Sequence, residues 1–205
     1  MTKVKICGLM EEEHVVAAVE AGADAVGFVF APSKRRISVQ QAASLARLVP
    51  SNVKKIGVFV NPTIAELQEI FHTVPLDFAQ FHGDETPEFI EQAGVPSIKA
   101  FSIKDESDIE KVSTYHTDYF LVDAPGEKYA GGSGKSFDWQ YVQGMMQKEQ
   151  LILAGGLHAG NVREAIQQVQ PYMVDVSSGV ERAGRKDEKL IRAFIRTVKE
   201  ESLVW

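Results

Sequence analysis

The run Lys3-Val4-Lys5-Ile6-Cys7-Gly8-Leu9 opens the chain and predicts a first β-strand. Lysines alternate with apolar residues in it, which indicates a strand with its lysines outward and its apolar residues inward. The strand ends on Cys7, the only cysteine of the chain, and a glycine follows at once. Free cysteines are most often inert core residues, so a structural interpretation of Cys7 stays open beside a chemical one.

Further short β-rich runs follow along the chain, and stretches with helical spacing separate them. In one such stretch Ala42, Leu45, Ala46 and Val49 recur at the spacing of one helix face. Eight strands that alternate with eight helices predict a parallel sheet, and eight such units close a barrel. We therefore predict an α/β protein, a single (β/α)8 TIM-barrel domain over residues 1–205, with an open doubly wound sheet as the alternative. The predicted strands are 3–7, 24–30, 53–60, 77–81, 97–101, 119–123, 150–154 and 173–176.

Composition excludes several classes of protein. The chain has 205 residues, a net charge of −6 and one cysteine, so it has no internal disulfide, and we expect a cytoplasmic protein. No apolar run approaches the roughly 18 residues of a membrane helix, and no global positive charge favours nucleic acid. The single dense basic cluster, Lys34-Arg35-Arg36, suits local recognition of an anion.

The predicted strand ends carry a chemically mixed set of residues. If the barrel closes, these ends share one rim, which is where barrel enzymes keep their active sites. A thiol, arginines, an imidazole, a carboxyl group and two glycine-rich turns would meet there, so we predict an active site at this rim. The set is Cys7-Gly8, Ala31 to Arg36, His82-Gly83, Asp123-Ala124, Ala154-Gly155-Gly156 and Ser177-Ser178-Gly179.

The two glycine-rich turns suggest a phosphate site. Gly155-Gly156 follows the seventh strand and precedes a helix that begins near Ala159, and Ser177-Ser178-Gly179 follows the eighth. Glycine lets backbone N–H groups approach an anion, and a helix N-terminus favours negative charge. Two ordinary tight turns remain the alternative.

Cys7 and Asp123 suggest proton transfer across a bound substrate. A buried carboxylic acid can donate a proton, although Asp123 could equally be a helix cap or a loop acceptor. A thiolate base needs positive charge nearby, and Lys5, on the same strand face as Cys7, could supply some of it. The loop 124–136, which follows Asp123 directly, is read as a glycine-hinged lid or a flexible surface loop. It is no nucleotide-binding P-loop, because Tyr129 stands where that motif requires glycine.

A metal site is not expected. His82 could act as a ligand, a proton relay or a hydrogen-bonded rim residue. The other four histidines, His14, His72, His116 and His158, lack the spacing of a ligand set.

Taken together, these motifs closely resemble those of the phosphoribosylanthranilate isomerase family of tryptophan biosynthesis. The resemblance implies a barrel, no cofactor and one small phosphorylated substrate, which undergoes an Amadori rearrangement from an aminoaldose to a ketose. It leaves the oligomeric state open. The matching stretches are Lys5 to Leu9, Gly22 to Phe30, Ser33 to Ser38, Gln80 to Gly83, Leu121 to Ala124, Gly131 to Gly134, Leu153 to Leu157 and Asp175 to Glu181.

The resemblance also implies roles for individual residues. Asp123 would be the general acid and Cys7 the general base, while Arg35, or its neighbour Arg36, would hold the anthranilate carboxylate. One departure follows the seventh strand, where the family's usual helix cap is replaced and Asn161 could serve instead. A sister sugar-phosphate enzyme such as indole-glycerol-phosphate synthase and a catalytically silent phosphate-binding barrel remain as alternatives. The remaining substrate-binding positions would be His82, Gly155, Gly156, Asp175, Ser177, Ser178 and Gly179.

Overall fold

Eight parallel strands form a closed barrel in the computed structural model, which describes residues 1–103, 107–123, 139, 142 and 148–201. Each strand pairs with the next along the chain, and β1 pairs with β8 through the register Lys5 to Asp175. The predicted barrel is confirmed, and the open sheet is wrong because the first and last strands are hydrogen-bonded. The strands are β1 (Lys3–Cys7), β2 (Ala25–Val29), β3 (Lys54–Phe59), β4 (Phe78–Phe81), β5 (Ser97–Ser102), β6 (Tyr119–Asp123), β7 (Leu151–Leu153) and β8 (Met173–Val176), followed by a hairpin of β9 (Glu181–Arg182) and β10 (Arg185–Lys186).

Seven α-helices lie within the described ranges and connect consecutive strands or follow the last one. One of the eight predicted helices, the one between β6 and β7, and the predicted lid 124–136 lie outside the described residues. None of the described helices is both long enough and apolar enough to cross a membrane. The helices are α1 (Glu12–Glu20), α2 (Val39–Ala46), α3 (Ile64–Thr73), α4 (Pro87–Ala93), α5 (Ser107–Val112), α6 (Val162–Val169) and α7 (Glu188–Glu201), with short 3-10 turns at Lys148–Gln150 and Ser178–Val180.

Local sequence signals start and stop several of these helices. The Ser38 hydroxyl accepts a hydrogen bond from the backbone in the first turn of α2, and Thr86 does the same for α4. Thr63 and Glu66 form a reciprocal capping box at the start of α3. Helix α4 ends at Gly94, whose φ of 63° is the left-handed conformation that glycine adopts easily.

The barrel has an outer and an inner core. Val4 and Ile6 belong to the outer apolar layer between strands and helices, and Lys5 is completely buried inside the barrel. The prediction that the lysines of the first strand point outward is therefore wrong for Lys5. Because both faces of a parallel barrel strand are buried, alternation alone does not tell which face lines the interior. The second, inner apolar cluster consists of Ala25, Ile56, Ile98, Ala100, Leu121, Ile152, Ala154 and Met173.

Candidate active site

A cavity of about 620 Å³ opens at the carboxyl ends of the barrel strands. Nine of the ten predicted site residues line it: Cys7, Arg35, His82, Asp123, Gly155, Gly156, Asp175, Ser177 and Ser178. The tenth, Gly179, is not among the lining residues. A Cβ on Gly179 would lie 1.9 Å from the Leu157 carbonyl oxygen, so this glycine lets the loop after β8 pack directly on the loop after β7.

Cys7 lies at the end of β1 with 7% of its surface exposed, at the cavity wall. Burial raises the pKa of its thiol, and the Asp175 carboxylate adds to this effect, whereas Lys5 and Lys186 oppose it. Lys5 thus acts on the thiol in the predicted direction, but burial outweighs it. Gly27 of β2 makes room for the thiol, since a Cβ there would lie 2.8 Å from Sγ.

Asp123 reaches the same cavity from the end of β6. Its side chain is buried, with 6% exposed, and its backbone carbonyl accepts a hydrogen bond from Ile103 N–H at 3.3 Å. Cys7 and Asp123 therefore line one cavity from two strands that are not neighbours in the barrel. This arrangement leaves space for a substrate between a thiol and a carboxyl group.

A chain of hydrogen bonds runs below the cavity from β8 to β4. The Lys5 Nζ atom donates to Asp175 Oδ2 at 2.9 Å and to Gln80 Oε1 at 2.8 Å, and Gln80 Nε2 lies 2.5 Å from His82 Nε2. Lysine is a donor only, which fixes the orientation of the Gln80 amide and makes His82 Nε2 an acceptor. Burial, with Lys5 and Lys99 nearby, lowers the pKa of His82 to about 3. The ring is therefore neutral at neutral pH and keeps an N–H on Nδ1.

Glu181, in the hairpin after β8, holds a second group of charges, of which Arg35 lines the cavity. Arg35 donates to both of its carboxylate oxygens, from Nε at 2.5 Å and from Nη2 at 3.0 Å, and Lys186 Nζ donates to Oε1 at 2.9 Å. Burial opposes ionisation of Glu181, but the bonds from Arg35 and Lys186 prevail and lower its pKa to about 2. Arg36 is exposed and is not among the lining residues, so Arg35 is the arginine that faces the cavity.

The loops after β7 and β8 bring backbone to the cavity. Gly155 and Gly156 have φ values of 87° and 63°, in the left-handed region that favours glycine. Asn161 is the residue before α6, as expected, but its side chain does not cap the helix. Its Oδ1 accepts from His158 N–H at 2.8 Å and its Nδ2 donates to the Gly156 carbonyl at 3.0 Å, so it braces the glycine turn instead.

Four polar residues of this region were not predicted from the sequence: Lys5 as a member of the interior, Gln80, Glu181 and Lys186. A signal existed for Lys5 and Gln80, because each lies two residues before a predicted site residue and so shares its strand face. Glu181 and Lys186 lie on two-residue strands, which have no readable periodicity.

One group outside the cavity has the composition of a metal site. Potential ligand atoms of Glu11, Glu13 and His14 lie within 4.8 Å of one another, which the histidine spacing alone did not indicate. Arg185 already occupies both carboxylates, donating to Glu11 and, at 2.8 Å, to Glu13. The group is therefore an ion-pair cluster that ties the hairpin to α1.

Comparison with known proteins adds a family to this geometry. The family model described as N-(5'phosphoribosyl)anthranilate (PRA) isomerase matches residues 4–197. An N-(5'-phosphoribosyl)anthranilate isomerase of Listeria monocytogenes serotype 4a (strain HCC23) is 51% identical over 197 residues, which are 96% of this chain and 98% of that protein.

Solved structures agree with this match. The crystal structure of phosphoribosyl anthranilate isomerase from Thermotoga maritima superposes with a TM-score of 0.89 at 40% identity, covering 98% of this chain and 100% of that one. A phosphoribosyl anthranilate isomerase in complex with reduced 1-(o-carboxyphenylamino)-1-deoxyribulose 5-phosphate superposes with a TM-score of 0.86 at 38% identity, with the same coverage.

Proposed function

The chain belongs to the N-(5'-phosphoribosyl)anthranilate isomerase family and is an aldose–ketose isomerase of tryptophan biosynthesis, and from this premise we propose that Cys7 and Asp123 perform its proton transfers. The observation that carries the assignment is that one cavity receives a buried thiol from β1 and a buried carboxyl group from β6. The family match removes the sister synthase as an alternative.

The proposed reaction is an Amadori rearrangement in which every atom is retained. Asp123 gives a proton to the ribose ring oxygen of N-(5'-phosphoribosyl)anthranilate, and the C1'–O bond breaks to leave a protonated Schiff base. Cys7, as the thiolate, then removes the proton from C2', and the electron pair forms an enolamine. Protonation at C1' and loss of the proton on the C2' hydroxyl give the ketone, 1-(2-carboxyphenylamino)-1-deoxyribulose 5-phosphate.

Arg35 is the proposed partner of the anthranilate carboxylate. Its Nε and Nη2 atoms are bound to Glu181, which holds the guanidinium plane at the cavity wall. The other terminal nitrogen is left to donate to a ligand, and Arg–carboxylate pairs of this kind are strong. The Arg35 side chain also packs on Gly8, where an added Cβ would come within 2.5 Å of Arg35 Cδ.

The proposed phosphate site is formed by the loops after β7 and β8. Gly155, Gly156, Ser177 and Ser178 line the cavity side by side, and N–H groups of such turns bind anions well. Gly179 contributes by allowing the two loops to pack closely. A relative in this family binds a reduced 5-phosphate product analogue, which supports a phosphorylated ligand here.

His82 and Asp175 complete the proposed set of substrate-binding residues. The neutral His82 ring has an Nδ1–H to donate to a sugar oxygen. Asp175 lines the cavity, and its Oδ1 atom has no hydrogen-bond partner within the described ranges. Although Oδ1 itself is buried, a carboxylate at the cavity wall is a suitable acceptor for a sugar hydroxyl.

Three broader expectations also belong to this proposal. We take residues 1–205 as one domain, which the family match over 4–197 supports. A cytoplasmic location suits a biosynthetic enzyme with one cysteine. We expect the phosphorylated substrate as partner and neither a membrane nor nucleic acid, because the net charge of the chain is negative. The proposal holds for a monomer or a dimer.

The deciding experiment is turnover of freshly generated phosphoribosylanthranilate, followed by the loss of anthranilate-type fluorescence. Wild-type protein should convert it, while Cys7→Ala should lose at least about 10²-fold in kcat, as expected when a general base is removed. Circular dichroism should show the same fold for both. Full turnover by Cys7→Ala would disprove the assigned base, and no turnover by wild type would point to a barrel that only binds phosphate compounds.

A further inference from the structure

Two buried lysines flank Cys7 and take no direct part in the proposed chemistry. Lys5 has no exposed surface, and Lys186 has 7% exposed. Lysine is almost never fully buried unless it is paired, and each of these is paired with a carboxylate. Lys5 contacts Asp175 at 2.9 Å, and Lys186 contacts Glu181 at 2.9 Å.

Lys5 approaches the thiol from below, on the same strand. A Cβ placed on Gly27 would lie 2.8 Å from Cys7 Sγ and 3.2 Å from Lys5 Cε, so both side chains border the space that this glycine leaves empty. Burial opposes the charge on Lys5, but Asp175 and Cys7 outweigh that effect and raise its pKa. Lys5 therefore carries a positive charge beside the thiol over the whole neutral range.

Lys186 approaches from the hairpin that follows β8. Its Nζ atom donates to the Ser177 carbonyl at 2.7 Å and lies 3.3 Å from Ser177 Oγ, which in turn donates to the Cys7 carbonyl at 3.4 Å. The β9–β10 hairpin thus places a second ammonium group on the other side of β1 from β2. Burial lowers the pKa of Lys186, and Glu181 counteracts this.

A buried thiol ionises only if positive charge compensates for the loss of water. We propose that Lys5 and Lys186 are positioning residues that together stabilise the Cys7 thiolate, and that their hydrogen-bond acceptors Asp175 and Glu181 hold them in place. The proposal rests on the assignment of Cys7 as the base. It gives the hairpin a function in the reaction, although the hairpin contributes no group to the proton transfers themselves.

The other charged and titratable groups around the cavity do not replace these two. Asp175 acts on the thiol in the opposite sense and raises its pKa. The remaining ionisable residues that line the cavity are Lys34, Arg35, His82 and Asp123.

The test uses the single cysteine of the chain, so that alkylation by iodoacetamide reports Cys7 alone. The alkylation rate is measured against pH in ligand-free protein, and the midpoint gives the thiol pKa. Lys5→Met and Lys186→Met should each move the midpoint upward by about one pH unit, with a roughly tenfold slower rate at pH 7. Asp175→Asn should move it downward, because the amide oxygen can still accept from Lys5 and hold it in place, while the anion that opposes the two lysines is gone.

Lys99→Met is the matched control. Lys99 is also buried, with 3% exposed, and is paired with Glu85 at 3.2 Å, but it does not act on Cys7. Its removal should leave the midpoint unchanged. A purely structural role would shift all four variants in the same direction.

The proposal is wrong if the midpoint of both lysine variants stays within about 0.3 pH units of the wild-type value, which is the error of such a titration. If Lys5→Met does not fold, the midpoints of Lys186→Met and Asp175→Asn test the proposal. Lys186→Met leaves the Arg35–Glu181 pair intact. Alkylation needs no turnover, so an unchanged midpoint would disprove the role of the lysines without disproving Cys7 as the base. A fully active Cys7→Ala variant would disprove both proposals.

Discussion

The two halves of the barrel interior differ in polarity, although the same strands form both. Toward the strand N-termini the interior is apolar, and toward the C-termini it carries buried charge. On three strands the change takes two residues, or about 7 Å of chain: Phe78 to Gln80, Leu121 to Asp123, and Met173 to Asp175. A barrel of this kind separates its stability from its chemistry by position along each strand.

The polar half has a cost that the apolar half does not. Buried charges destabilise a fold unless they are paired, and Lys5 satisfies this rule through Asp175 and Gln80. Asp175 does so only in part, since its Oδ1 finds no partner within the described residues. A buried acceptor without a partner is part of the cost of the polar half.

The largest effect that the comparison predicts is on activity in the polar half. Asp123→Asn keeps the shape of the side chain and removes its acidic proton, so kcat should fall by about 10²–10⁴-fold while thermal stability stays near that of wild type. Stopped-flow fluorescence and calorimetry on the same preparations measure the two quantities. A variant that is stable and fully active would show that Asp123 is not the acid.

The apolar half should respond in the opposite way. Ile98→Ala removes a fully buried side chain from the inner apolar cluster and should lower the free energy of unfolding by about 2–5 kcal/mol, with kcat nearly unchanged at low temperature. Ile98→Val, the smaller truncation, should cost about 1 kcal/mol. Urea denaturation gives the stability, and a large loss of kcat in the folded Ile98→Ala protein would contradict the separation of the two halves.

A smaller effect is expected at the phosphate site on the rim of the polar half. Ser178→Asp places a negative charge where the phosphate is proposed to bind, so KM should rise at least about tenfold, with a much smaller change in kcat. Ser178→Ala is the control for the lost hydroxyl and should change KM only a few-fold. Equal KM values for Ser178→Asp and wild type would disprove the phosphate assignment.

The smallest effect concerns pH and His82. The folded-state pKa of about 3 lies below the ordinary value of about 6.5, so the unfolded state binds more protons between these two values. Stability that is present above pH 6.5 is therefore lost as the pH falls toward 3. Because the ring is partly exposed, we expect a loss of only about 1 kcal/mol between pH 7 and pH 5.

The control for this effect is His82→Gln, which removes the titrating ring. Between pH 7 and pH 5 the free energy of unfolding of the variant should fall by about 1 kcal/mol less than that of wild type, as measured by urea denaturation. Equal losses would show that His82 titrates normally.

Most of the strand order could be predicted from the sequence, because each strand and each helix has a local sequence pattern. The predicted strand at 53–60 is found at Lys54–Phe59, and the predicted strand at 119–123 is found at Tyr119–Asp123. Helix caps are local in the same way, as in the capping box of Thr63 and Glu66 at the start of α3. These signals are short-range, and the regular alternation of two periodicities then predicts the closed barrel.

The site was predictable where residues follow strand ends. Nine of ten candidates line the cavity because parallel strands bring all their carboxyl ends to one rim. The choice between Arg35 and Arg36 was not readable, because neighbours in a loop have no fixed alternation. In the structure Arg35 lines the cavity and contacts Glu181, which is 146 residues away in sequence.

The sequence by itself determined the alternation of strands and helices, the closure into eight units and the set of groups at the rim. Only the tertiary structure decided that Lys5 points into the barrel and that the hairpin after β8 brings Lys186 beside Cys7. The reason is physical: secondary structure follows from local periodicity and caps, whereas the pairing of buried charges depends on which distant residues share a low-dielectric space. Such pairs are separated by as many as 170 residues here, as in Lys5 and Asp175.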